Sequence, residues 1–147
     1  MSEPNLEPTW NDDATICKIR VRYGETDQMG HAYYANYLYW FEEARGAWCR
    51  DRGFAYKDWE EAGFKLPVVE VFARYRQEIK YDDLVCVEVR VARVKRSSIQ
   101  FQYRVYIEGA EEIATEGYTW HVLLGDTGRP TRFPEALMEN LNRVPRK

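Results

Sequence analysis

Two carboxylates, a glycine and a histidine stand close together in Glu25-Thr26-Asp27-Gln28-Met29-Gly30-His31. A strand-like run ends just before this stretch and an amphipathic helix begins just after it. Loops that join a strand to a helix often carry catalytic groups. A helix N-terminus adds unpaired backbone N–H groups and a partial positive charge directed back into such a loop. A carboxylate facing those donors can attack a polarised carbonyl or activate a water to do so. Asp27 is the candidate for that carboxylate, and its residue type leaves nucleophile and general base equally open. Its bland reading is a loop or capping aspartate, since Asp favours both positions. Glu25 is the competing acid, and as a loop acid it is expected to face solvent.

The neighbours of Asp27 have roles of their own. Gly30 lets the backbone bend before the helix, or lets a substrate come close. His31 is placed to hydrogen-bond Asp27 or a substrate, and is otherwise a structural histidine of the loop. Tyr34 enters through its backbone N–H and not its phenol. At a helix start that N–H lacks an intrahelical partner and can bind an oxyanion. Asn36 can bind a water or cap the helix.

The elements that must position these groups are legible in the periodicity. From Ala14 to Tyr23, Cys17, Ile19, Val21 and Tyr23 alternate with charged residues, which predicts a strand with one buried face. Tyr37, Phe41, Ala44 and Trp48 form a helical stripe over about Ala35 to Arg52, and Gly53 is a natural stop. A short helical turn is expected from Tyr56 to Ala62. Four strands follow. Val69, Val71, Ala73 and Tyr75 share one face, as do Val85, Val87, Val89 and Val91, then Ile99, Phe101, Tyr103, Val105 and Ile107. The last strand runs from about Ile113 to Leu124. Short turn-rich connections at Tyr81-Asp82-Asp83, Arg96-Ser97 and Glu108-Gly109-Ala110 predict that consecutive strands are antiparallel neighbours. Pro134 opens a terminal helix at its first position. One long helix followed by consecutive strands reads as α+β, with the helix on one sheet face.

Composition narrows the function classes. The 147 residues make one domain over residues 14–147, preceded by a loosely ordered tail over 1–13. A net charge of −3 gives no reason to expect nucleic-acid binding. Phe101 and Tyr103 lie on the same face as Ile99 and Val105, which reads as core and not as a base-stacking platform. No apolar run is long enough for membrane insertion. Three cysteines without metal-type spacing point to a reducing, cytoplasmic setting. No metal site, phosphate-cradling glycine loop or Gly-x-Ser-x-Gly elbow is present in the sequence. His121 reads as a satisfied strand histidine. Eleven tyrosines exceed what a small core needs and suggest a broad interface or an aromatic-lined pocket.

The order Asp27-Gln28-Met29-Gly30-His31, Asn36-Tyr37-Leu38 and Phe41-Glu42-Glu43-Ala44-Arg45 resembles the opening of hotdog-fold acyl-CoA thioesterases. The nearest group is the 4-hydroxybenzoyl-CoA thioesterase family, with its Tol-Pal-associated branch. The resemblance continues through Tyr75-Arg76-Gln77-Glu78-Ile79-Lys80-Tyr81-Asp82-Asp83 and Lys95-Arg96-Ser97-Ser98-Ile99, and covers roughly Cys17 to Leu137. It implies an antiparallel sheet of about five strands wrapped around one long central helix. It implies hydrolysis by Asp27, with the Tyr34 N–H facing the thioester oxygen. Many Tol-Pal-associated members carry a histidine where this chain has Tyr34; here the histidine is His31, as in other long-chain and aryl-acyl thioesterases.

The resemblance also implies partners. Coenzyme A is part of the substrate, and no separate cofactor is implied. Its phosphates call for cations, which Lys95 and Arg96 followed by Ser97 and Ser98 can supply, with Arg129 and Arg132 as a second basic spot. Arg93 fits the family less well. Sites between subunits imply a homodimer, or a dimer of dimers. Two further functions share these residues. One is a hotdog hydratase or dehydratase, for which His31 would be indispensable, and the other is a non-catalytic acyl-CoA binder. The acyl group itself is not legible in the sequence.

Overall fold

Strands form where apolar residues alternate, and one helix forms where they recur every three or four positions. The computed structural model describes residues 13–143, so the expected tail over 1–13 lies, Asp13 apart, outside the described residues. In chain order the elements are β1 (Thr15–Arg20), a 3-10 turn over Tyr23–Glu25, α1 (Asn36–Asp51), α2 (Tyr56–Glu61), β2 (Val68–Tyr75), β3 (Leu84–Val94), β4 (Ser98–Ile107), β5 (Thr115–Val122) and α3 (Glu135–Leu141). The strands make one antiparallel sheet in the order β1-β3-β4-β5-β2. This is the expected five-strand, one-long-helix α+β architecture, with one correction: β2 pairs with β5 and not with β3, the neighbour that the short Tyr81-Asp82-Asp83 connection predicts, because residues 76–83 carry the chain across from the β2 edge instead of closing a hairpin.

One sheet face packs on α1. Val85, Val87 and Val89 of β3 and Ile99, Phe101, Tyr103 and Val105 of β4 are buried there, against Tyr37, Trp40, Phe41, Ala44 and Trp48 of the helix. Burying each such large side chain contributes about 1.5–3 kcal/mol. Phe41 stacks on Tyr103 with ring centres 4.1 Å apart. The helix comes this close because β5 offers Gly117 opposite Phe41. A Cβ at Gly117 would lie 2.5 Å from the Phe72 carbonyl oxygen and 3.1 Å from Phe41 Cζ.

Several sequence expectations are corrected at element ends. Tyr23 is not on the buried strand face. The chain turns into the 3-10 segment there and leaves Tyr23 79% exposed. Val69 and Val71 do not form a buried face; both are exposed, and a register shift falls between Val68 and Glu70. Pro134 sits one residue ahead of α3, in extended conformation, and not at its first position. Trp40 and Trp48 are core residues.

The tight α1–β5 approach makes Gly117→Ala destabilising by about 1–3 kcal/mol, because backbone and an aromatic ring must both shift. Chemical denaturation measures this directly; an unchanged midpoint would contradict the packing described.

Candidate active site

The loop between β1 and α1 is built around a buried acid. Glu25 was expected to face solvent, but it is 7% exposed. One carboxylate oxygen accepts the Arg22 N–H at 2.8 Å and the other accepts Trp40 Nε1–H at 2.9 Å. Burial pushes the Glu25 pKa upward, but these hydrogen bonds and the nearby Arg22 cation outweigh it and hold the group below its ordinary value. Its carbonyl accepts the Tyr33 N–H at 2.8 Å and Asn36 Nδ2–H at 2.7 Å. The chain leaving β1 is thereby fastened to the chain entering α1. Glu25 is a structural anchor and not the competing catalytic acid.

Asp27 stands on the exposed rim of this loop. Its Oδ1 accepts the N–H groups of Met29 at 2.9 Å and His31 at 3.1 Å. Its own N–H donates to the His31 carbonyl, and its carbonyl accepts the Gly30 N–H. Gly30 closes the turn with a φ of +78°, in the left-handed region that favours glycine. The second carboxylate oxygen, Oδ2, has no hydrogen-bond partner among the described residues. One oxygen fixes the side chain and the other is presented outward.

His31 reaches Asp27 through its backbone alone. Its ring Nε2 lies 2.9 Å from Glu78 Oε2. The His31–Lys80 and Thr26–Ala32 bridges and the Ala32 N–H to Ile79 carbonyl bond hold the loop against the start of the β3 hairpin. Past them, the Tyr34 and Ala35 N–H groups have no hydrogen-bond partner among the described residues, while Asn36 N–H donates to the Tyr33 carbonyl. The Tyr75 hydroxyl donates to the Tyr34 carbonyl at 3.2 Å, which fixes the peptide carrying the Ala35 N–H. The α1 start thus offers adjacent unpaired donors.

The basic residues are elsewhere. Lys95, Arg96, Ser97 and Ser98 form the β3–β4 turn, closed by the Lys95 N–H to the Ser98 carbonyl. The Leu123 N–H donates to the Ser97 carbonyl and the Phe133 N–H to the Arg96 carbonyl, which brings Arg132 beside Arg96. The two basic spots of the sequence are therefore one patch. It lies at the far end of β3 from the Asp27 loop, about 30 Å along an 11-residue strand.

A cavity of about 660 Å3 opens between the second half of α1, the Leu66–Val68 segment and α3. Arg45 and His121 line it. Sequence reasoning missed the roles of Glu25, Tyr75 and Arg45, because each is set by a partner 15 or more positions away. Among the described residues no group of His, Cys, Asp and Glu is placed to hold a metal ion, and no helix is long and apolar enough to cross a membrane.

Fold and loop together define a class. Residues 21–141 match the model of the thioesterase-like superfamily. The acyl-CoA thioesterase YbgC of Haemophilus influenzae is 36% identical over 95 residues, which are 64% of this chain and 70% of that protein. A DHNA-CoA thioesterase structure from Staphylococcus aureus superimposes with a TM-score of 0.81 at 33% identity, covering 86% of this chain and 87% of that one. TT1821 from Thermus thermophilus gives 0.81 at 33% identity, over 86% of this chain and 95% of that one. The chain belongs to the thioesterase-like superfamily. It is a thioester hydrolase with the hotdog fold.

The Glu25 anchor gives a prediction with a pH signature. Glu25→Gln turns an amide N–H2 toward one of two donors and costs about 1.5–3 kcal/mol near neutral pH. A lowered folded-state pKa stabilises the fold above the unfolded value of about 4.5, and this contribution fades as pH falls through the folded value. The wild-type advantage, measured by denaturant titration, should shrink below that pH; a pH-independent gap would contradict the assignment.

Proposed function

We propose that the chain hydrolyses acyl-CoA thioesters where the Asp27 loop meets α1, releasing a free acid and coenzyme A. The observation that carries this is the pairing of an Asp27 oxygen left unengaged with unpaired Tyr34 and Ala35 N–H groups on the same clamped junction. The names of the Haemophilus and Staphylococcus relatives support the substrate type. In this reading the Tyr34 N–H donates to the thioester oxygen and stabilises the charge that develops there. Asp27 Oδ2 either attacks the carbonyl carbon, expelling the coenzyme A thiolate and leaving a mixed anhydride for water to open, or takes a proton from an attacking water. Both routes give acid and thiol, and neither needs a cofactor or a metal.

The remaining residues support that step. His31 holds Asp27 through its backbone, and Gly30 keeps the turn open to substrate. One Asn36 side-chain N–H donates to the Glu25 carbonyl, which leaves its second N–H and its Oδ1 for a water or substrate. Lys95, Arg96, Ser97, Ser98 and Arg132 receive the coenzyme A phosphates.

A second copy completes this arrangement. The basic patch is too far from Asp27 of the same chain, and β2 presents an apolar open edge, with Val68 43%, Val69 60% and Val71 43% exposed. Pairing two β2 edges about a two-fold axis is antiparallel and sets one copy's Val68 end beside the other's Tyr75 end. The basic patch lies at the Val68 end, through the Leu123 contact, and Tyr34 lies at the Tyr75 end. A homodimer therefore offers each Asp27 loop the partner's cations, and two dimers can assemble further. The free Cys17, Cys49 and Cys86 fit a reducing, cytoplasmic setting.

The His31–Glu78 pair favours one second reading, a hydratase, since it supplies a histidine with an adjacent acid. Thiol release from a panel of acyl- and aroyl-CoA esters separates the two. Asp27→Asn should lose at least about a hundredfold in kcat while remaining assembled, and His31→Ala should lose less. Hydration without thiol release, abolished by His31→Ala, would replace the thioesterase reading.

A further inference from the structure

The Phe41–Arg45 motif and the buried His121 have no part in the chemistry above, yet they meet inside the cavity. Arg45 Nη1 donates to the Tyr103 hydroxyl at 3.1 Å, Tyr103 and Thr119 hydroxyls lie 2.7 Å apart, and Thr119 Oγ1 is 2.8 Å from His121 Nε2. The opposite ring nitrogen, Nδ1, is 3.0 Å from the Leu66 carbonyl. The direction of every proton follows. A carbonyl only accepts, so Nδ1 carries a proton and donates it. Burial first, and the Arg45 charge second, push His121 down to about 4, so its ring is neutral near pH 7 and Nε2 accepts. Thr119 therefore donates to His121, Tyr103 donates to Thr119, and Arg45 donates to Tyr103.

This chain of hydrogen bonds fixes Arg45 with one N–H and leaves its other donors unused. A guanidinium has five N–H groups, and among the described residues Arg45 has no other hydrogen bond and no carboxylate partner. Phe54, Trp59, Leu66 and Phe101 supply apolar wall beside it. Glu42, Glu43 and Arg50 also face the cavity, but all three are exposed at its rim. The charge of Glu43 is felt at Cys17 on β1, whereas that of Arg45 acts on both His121 and Tyr103. Of these four charged lining residues, Arg45 is the one set back from the rim.

The cavity also lies in line with the reacting centre. Strand β2 runs from the cavity at Val68 to Tyr75, which touches Tyr34. From Tyr34, in the turn just before α1, to Arg45 the 11 positions span about 16 Å at 1.5 Å per residue. An acyl group of that length, held by its thioester at the Tyr34 N–H and laid alongside α1, reaches the cavity. Resting on the thioesterase reading, we propose that Arg45 is a specificity determinant of the acyl site, selecting acyl groups that carry an acceptor oxygen at the end remote from the thioester. A plain hydrocarbon end would strip water from the unused donors and return nothing, whereas a carboxylate or hydroxyl oxygen replaces that water. A carboxylate matches the guanidinium fork; a hydroxyl would also donate to the rim glutamates.

The test compares straight-chain acyl-CoA esters of graded length with their ω-hydroxy and ω-carboxy counterparts, on wild type, Arg45→Met and Tyr103→Phe. At the length that reaches Arg45, wild type should favour one oxygenated ester over the plain one by about tenfold or more in kcat/KM. Arg45→Met should bring the esters to within about threefold. Tyr103→Phe keeps the ring stacked on Phe41 but releases Arg45 from its anchor, and should shrink the same ratio. Wild-type preference for the plain ester, or an undiminished ratio in both variants, overturns the proposal. If wild type releases thiol from no ester, the thioesterase reading fails separately. Calorimetric affinities of the same esters then decide the Arg45 proposal, and equal affinities overturn it.

Discussion

The carboxylate of Glu25 is the buried charge on which the site depends. Withdrawing an ionised acid from water is costly unless every lone pair it exposes finds a donor. Here the donors come from opposite sides of one loop, the Arg22 backbone N–H before it and the Trp40 indole after it. The same residue's carbonyl gathers Tyr33 and Asn36. Strand exit, loop and helix entrance are therefore set by one residue, and the exposed Asp27 rides on a frame it does not have to support.

The free N–H groups at the α1 start have a related origin. A helix leaves its first donors unpaired unless a side chain caps them, and α1 has no side-chain cap. Tyr33 and Tyr34 begin the turn where Ser, Asp or Asn would have satisfied those groups internally. Tyr75 instead takes the Tyr34 carbonyl, so the peptide is oriented while its donors stay open. The strand that carries Tyr75 is one of the sheet's two edges, which ties the order of the helix start to whatever pairs with β2.

Much of this was legible in the sequence. Period-two runs gave β1, β3 and β4 their buried faces, because each covers core on one side; for β5 they gave only the extent of the strand. They misled for β2, where Val69 and Val71 have the same pattern but are exposed beside a register shift. The α1 stripe of Tyr37, Phe41, Ala44 and Trp48 is buried as expected. The loop acids could not be ranked by environment from composition. Glu25 is buried and Asp27 exposed, and that inversion depends on Trp40, a helix residue 15 positions on. Likewise the Arg45–Tyr103–Thr119–His121 chain joins α1 to β4 and β5, and no local spacing signals it. The two basic spots merge only because the Phe133 segment folds back on Arg96.

In the proposed site the Asp27 loop of one copy works with the basic patch of another. Subunit complementation tests it most directly. Asp27→Asn chains are combined, by co-expression, with chains in which Lys95, Arg96 and Arg132 are reversed to Glu. Each parent alone has every site damaged. In the mixed dimer, one site pairs an intact Asp27 with an intact partner patch. Recovered acyl-CoA hydrolysis in purified mixed dimers, near half that of wild type per dimer, is the predicted result. Mixed dimers as inactive as both parents would contradict the account.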